Sequence, residues 1–234
     1  MQSSLITSSL GKKYMMALSG LFLCLFLVGH LLGNLQLFTS GQQGADNFNI
    51  YAKFMTTNPV VKILSYLTYF SILFHVFDGL LLTIQNRRAR PKKYIVEKGS
   101  SNSSWASRNM AVLGTILLVF IVTHMQNFWY VMHFGSISSY EIDGQMVKDL
   151  HKVVMSFFNP SLNSYAGLMV VFYVLSMLAM AYHLNHGFSS AFQSLGVNHV
   201  KYNTMIKLSG VAFSILVPAL FASIPIYVFI HHFL

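Results

Sequence analysis

Histidine is rare in the middle of an apolar stretch, yet His30, His75, His124 and His183 each stand inside a long run dominated by leucine, valine, phenylalanine and methionine. An ionisable ring is costly to place there and needs a partner that justifies it. Imidazole chemistry offers two: it ligates metals, haem iron included, and it relays protons. The choice between them depends on how the four rings are placed relative to one another.

Five stretches are long and apolar enough to cross a bilayer as helices: Tyr14 to Phe38, Val60 to Ile84, Met110 to Met132, Tyr165 to Phe188 and Leu208 to Ile230. About 20 apolar residues span the roughly 30 Å hydrocarbon layer, and the evenly apolar pattern lacks the alternation of a membrane β-barrel. The composition agrees: 54% of residues are hydrophobic and 9% charged, against about 45–50% and 25% in soluble domains. So little charge cannot clothe a water-soluble surface of this size. The expected fold is an all-α integral membrane protein, residues 1–234 forming a single membrane domain. Four helices make a histidine-bearing bundle and a fifth helix stands beside it. The first run is too long for a signal-peptide core and has no A-x-A cleavage pattern, so it is expected to be a retained helix.

The net charge of +9 is confined to short connections rather than spread along an amphipathic face, so it reads as a topology signal and not as a nucleic-acid surface. Lys12, Lys13, Arg87, Arg88, Arg90, Lys92, Lys93, Lys98, Arg108, Lys201 and Lys207 fall on one side; Lys53, Lys62, Lys148 and Lys152 fall on the other, with the acids Asp46, Glu141, Asp143 and Asp149. This asymmetry predicts a cytoplasmic N-terminus and an external C-terminus bearing His231 and His232. The connection from Asn86 to Arg108 is expected to carry much of the contact with soluble partners or the lipid surface. A single cysteine, Cys24, leaves no disulfide framework, iron–sulfur or zinc spacing, or covalent haem motif.

Each histidine lies 14 to 18 positions into its span, or roughly 21–27 Å along a helix. Successive spans run in opposite directions, so His30 meets His124 in the outer half and His75 meets His183 in the inner half. Two pairs at two depths suit two b-type haems, each iron held by imidazoles from two facing helices. Gly79 and Gly187 each follow their histidine by one turn on the same face, leaving room for a flat macrocycle, and Gly29 and Gly33 flank His30. His186 rivals His183 but lacks that glycine spacing. Asp78, the one carboxylate inside a span, has two readings: a partner for Arg87 or a backbone amide, or a role at haem propionates or in proton uptake. A quinone needs an apolar slot with a few hydrogen-bonding groups near a haem edge; Asn34, Gln36, Asp46, Gln126 and Asn127 are the candidates.

The segments SGLFLCLFLVGHLLGN (Ser19 to Asn34), HVFDG (His75 to Gly79), GTILLVFIVTHMQNFWYVMH (Gly114 to His133) and HLNHGFSSAFQSLG (His183 to Gly196) resemble the single-chain, two-haem cytochrome b subunit of succinate dehydrogenase and fumarate reductase. The resemblance covers all five spans in order. It implies that His30 and His124 hold the distal haem and His75 and His183 the proximal one. It also implies a bacterial cytoplasmic membrane location, a flavoprotein and an iron–sulfur subunit as cytoplasmic partners, and electron transfer between the iron–sulfur subunit and a quinone, expected to be menaquinone. The dicarboxylate site would belong to the flavoprotein. In family members with a compensating proton path a glutamate stands two positions before the fourth-span ligand; here Ala181 stands there.

Three alternatives remain open at this point. A b-type cytochrome of a hydrogenase or formate dehydrogenase shares the haem logic with other partners. A proton-coupled transporter would use the histidines as relays, although no repeated halves are visible and only the last span is interrupted, by Pro218 and Pro225. A haem-free structural anchor is the third.

Overall fold

The computed structural model describes residues 8–89 and 103–231. Arg90, Lys92, Lys93, Glu97, Lys98 and His232 lie outside the described residues.

Five long helices cross the molecule. Helix α1 is Ser9–Asn34 and ends in a 3-10 turn, Leu35–Phe38; α3 is Pro59–Arg88; α5 is Met110–His124; α8 is Ala166–Ser194; α9 is Val200–His231. Each stretch, with its continuations, is long and apolar enough to span a membrane. Their starts are written locally. Ser8 Oγ accepts from the Gly11 amide at 3.0 Å. Asn58 Oδ1 accepts from Val60 and Val61 at 2.9 and 3.2 Å, with Pro59 in the first turn where its missing N–H costs nothing. With its continuations each stretch is longer than the expected span: α9 has 32 residues, about 48 Å of rise against roughly 30 Å of hydrocarbon, so its ends reach the headgroup layers.

Large side chains on these helices face outward, Leu25 and Leu73 being 69% and 71% exposed. Such a surface is stable against lipid and not against water. This is an all-α, multi-pass membrane protein. Inside the bundle small residues allow close approach, as membrane helix packing requires. A Cβ on Gly210 of α9 would lie 2.9 Å from the Phe188 ring of α8. Ser176 and Ser214 are fully buried, and their hydroxyls bond to the carbonyls of Phe172 and Val211. Pro218 and Pro225 were expected to interrupt the last span, yet α9 runs through both. Both prolines are buried, and tertiary packing holds the helix where local hydrogen bonding is lost.

One end of the bundle is basic. Lys12, Lys13, Arg87, Arg88, Arg108, Lys201 and Lys207 gather there, at the ends or near the starts of the long helices. Helix α4, Trp105–Arg108, lies at this end, started by Ser104 Oγ accepting from Ser107.

The opposite end carries a cap that the sequence reading treated as connections. Helix α2, Gly41–Thr57, and helix α7, Leu150–Phe158, close over the bundle. Between α5 and α7 come a short helix α6, Val131–Phe134, and a hairpin of β1, Ser139–Ile142, and β2, Gln145–Lys148. Asp143 and Gly144 both have positive φ, 48° and 75°, the conformation of a tight two-residue hairpin turn. Leu37, Phe48, Val154, Phe158, Tyr173, Ile224 and Val228 form the core joining cap to bundle. Asn49, only 1% exposed, organises the polar side. Its amide donates to Tyr140 Oη at 3.1 Å and Asp149 Oδ1 at 3.0 Å, and its carbonyl accepts from the His151 amide at 2.8 Å. Burial lowers the pKa of the His151 ring below its ordinary value, against an opposing upward pull from Asp149.

Candidate functional site

The four intramembrane histidines form two pairs. The rings of His30 on α1 and His124 on α5 have centroids 5.8 Å apart, and those of His75 on α3 and His183 on α8 are 6.2 Å apart. Two imidazoles joined through one metal at about 2.0–2.1 Å per nitrogen bond would put their centroids roughly 6–6.5 Å apart. Both spacings are close to that. Among the described residues no three His, Cys, Asp or Glu side chains converge. A facing pair without further protein ligands could hold a metal only if a cofactor supplied the remaining ligands, and it does not fit a protein-only tetrahedral site.

The two pairs stand at different levels, and α1 measures the difference. A Cβ on Gly20 would sit 3.3 Å from Cε1 of His75, so Gly20 marks the level of the second pair. Ten residues separate Gly20 from His30, a rise of about 15 Å. The His30–His124 pair is nearer the cap and the His75–His183 pair nearer the basic end.

Aromatic rings enclose the pair nearer the cap. Phe26 stacks on His30 at 5.3 Å, Phe120 stacks on His124 at 5.5 Å, and Phe221 and Phe128 lie against the two histidines at 5.6 and 5.3 Å. The Tyr173 hydroxyl is 3.5 Å from His124 Nδ1 and also engages the Asn127 side chain. Helix α9 therefore contributes to the site through Phe221.

The second pair is held by a serine that sequence spacing did not identify. Ser19 Oγ lies 3.1 Å from both Met16 O and His75 Nδ1. The carbonyl can only accept, so the hydroxyl proton goes to Met16 and the serine oxygen accepts from Nδ1–H of His75. That fixes the tautomer with Nε2 as the ring's free lone pair, the state a ligating histidine needs. His183 Nδ1 and Asp78 Oδ2 are buried without a hydrogen-bond partner among the described residues. Orphans of this kind are uncommon in folded proteins, and each calls for an account such as a water, an ion or a ligand. Asp78 is 3% exposed, and the cation whose field reaches it is Lys12 on α1 rather than Arg87.

The expected clearance is present in part. A Cβ on Gly187 or Gly29 would meet open space, as would one on Gly114, which sequence reading passed over; one on Gly79 would touch only the end of Met16, at 3.6 Å. Gly33 has another role: the Tyr51 ring of α2 lies where its side chain would be. His186 takes no part in the pair facing His75.

The five quinone candidates separate. Asn34 Nδ2 donates to His30 O at 2.8 Å within its own helix. Asp46 accepts from Gln42 at 2.7 Å and from Tyr140 at 2.8 Å, which ties it to the cap. Gln36 is half-buried in the 3-10 turn, and Gln126 is exposed. Asn127 is the candidate brought to the His30–His124 pair. It lies in a π-helical segment, Met125–Tyr130, that follows His124 directly. A wider turn of this kind re-aims the side chains beyond it and is frequent at functional sites.

Compared with protein-family models, curated proteins and solved structures, the chain gives no match.

Proposed function

We propose that this chain is the dihaem cytochrome b anchor of a succinate:quinone oxidoreductase or quinol:fumarate reductase, with a flavoprotein and an iron–sulfur subunit docked at its basic end. The observation that carries the reading is the pairing of His30 with His124 and His75 with His183 on two levels about 15 Å apart along α1. A relay of protons does not call for isolated facing pairs, whereas two axially ligated irons do.

In this reading His30 and His124 hold the outer haem iron, and His75 and His183 the inner one. Bound there, each haem would supply a reversible one-electron centre between the iron–sulfur partner and quinone. The protein's own residues do the rest. Ser19 orients His75 and keeps Nε2 available. Phe26, Phe120, Phe128 and Phe221 exclude water from the outer level, lowering the local dielectric. Asn127 and Tyr173 supply hydrogen-bonding groups beside that level, suited to a quinone carbonyl, with menaquinone the proposed occupant. The basic end faces the cytoplasm of a bacterial inner membrane, in keeping with the lysine and arginine asymmetry.

A reduced-minus-oxidised visible spectrum with a haem assay on the purified protein tests this directly. Two b haems per chain are expected; one or none would overturn it. Co-purifying flavoprotein and iron–sulfur subunits would distinguish it from a hydrogenase or formate dehydrogenase cytochrome.

A further inference from the structure

Two grooves run along α8 and α9 and meet. The one at the basic end, about 620 Å³, has walls that mix polar and apolar side chains; the other, about 410 Å³, descends between the helices past Val174, Pro218 and Ala219 and is apolar. They share Tyr182, Asn185 and Val211, so they form one amphipathic channel from the headgroup layer into the hydrocarbon.

In the polar part, the side chains of Asn185, His186, Ser189, Ser190, Gln193 and Lys207 line the wall, and none of them hydrogen-bonds to another described residue. Among the described residues they offer many donors and one permanent cation, and no described carboxylate lines the groove. Trp105 stands at the rim with its ring 5.4 Å from Tyr182. A neutral quinone ring calls for an apolar slot with few polar groups. A phosphate calls for clustered donors beside a cation.

We propose that this channel is an anionic phospholipid site, with the headgroup seated against Lys207, His186 and Ser190 and an acyl chain lying along α8 and α9 toward Pro218. The surrounding face reinforces the preference, since Lys201, Arg108 and Arg87 raise the positive potential at the same end. This inference goes beyond the haem reading and does not depend on it.

The test is native mass spectrometry of the full-length chain, with whatever subunits it retains, titrated with phosphatidylglycerol or phosphatidylcholine of identical acyl chains. One phosphatidylglycerol should be retained per chain, about fivefold more strongly than phosphatidylcholine, and Lys207→Gln should remove that preference. Lys201→Gln, a charge at the same end outside the channel, should reduce the preference far less than Lys207→Gln does. Ala219→Phe, which fills the apolar part, should lower retention of both lipids, and Lys207→Gln remains informative if that variant folds poorly. Equal retention of the two lipids, equal loss in the Lys201 and Lys207 variants, displacement by a short-chain quinone, or lipid loss coupled to pairing of two chains would each overturn the proposal.

Discussion

The Ser19 hydroxyl oxygen sits 3.1 Å from Nδ1 of His75, across 56 residues of sequence and between two different membrane helices. Because the same hydroxyl is committed to Met16 O, the contact runs in one direction only, from ring to serine. A serine therefore sets which nitrogen of a neighbouring helix's histidine is free to bind.

In the proposed dihaem reading, removing that acceptor should make the His75 imidazole a poorer electron donor to its iron. In Ser19→Ala the midpoint potential of the inner haem is expected to rise by about 20–60 mV, the equivalent of one modest hydrogen bond. The outer haem should be unmoved. A redox titration following both haems reads this, and Ser19→Thr should restore the original value.

Ligand replacement should separate the two levels. His30→Ala and His124→Ala are each expected to remove the same haem, halving haem content, and His75→Ala and His183→Ala to remove the other. His186→Gln should retain both. Loss of one common haem from the His30 and His75 variants would break the pairing.

The cap depends on one buried amide. Asn49→Ala leaves Tyr140, Asp149 and the His151 amide each short of a partner, a loss of about 2–3 kcal/mol. Limited trypsin digestion should then cut at Lys148 and Lys152 well before the spans unfold, whereas cleavage at the wild-type rate would deny Asn49 that role.

Acid should loosen the same region. Burial lowers the His151 pKa in the folded state below its ordinary 6.5. The unfolded cap therefore takes up the proton first, and stability that is complete above about pH 6.5 declines as pH falls toward the lowered value. His151→Gln should flatten this dependence. Hydrogen exchange of cap amides between pH 7.5 and 5 gives the comparison, and an unchanged slope in the variant would assign the effect elsewhere.

How much of this was legible in the sequence depended on range. The five spans and the pairing of His30 with His124 and of His75 with His183 followed from helix rise and alternating direction alone, because membrane thickness gives every span a common ruler. Ser19 and Gly20 were not legible as partners of His75, since their roles arise from how closely α1 approaches α3 and no periodicity encodes that approach. The π-helical turn at Met125–Tyr130 leaves the apolar pattern almost unchanged, so the selection of Asn127 from among five polar candidates required coordinates. The cap was missed because α2 and α7 are too short to span and are separated in sequence by two long helices, α3 and α5. Pro218 and Pro225 misled in the other direction: local rules predict an interruption that burial overrides.

Gly20 and His30 belong to one unbroken helix, and His75 packs against Gly20, so the interval between the two histidine levels is set by the rise of α1 together with its contact with α3. Side-chain repacking, detergent in place of lipid, or a thicker or thinner bilayer can tilt α1 as a rod, but none of them stretches ten residues of hydrogen-bonded backbone. In the proposed dihaem reading, a tunnelling distance built this way changes only where α3 slides along α1. In that reading, a change in membrane composition would alter the tilt of the bundle before it altered the gap between the two histidine levels.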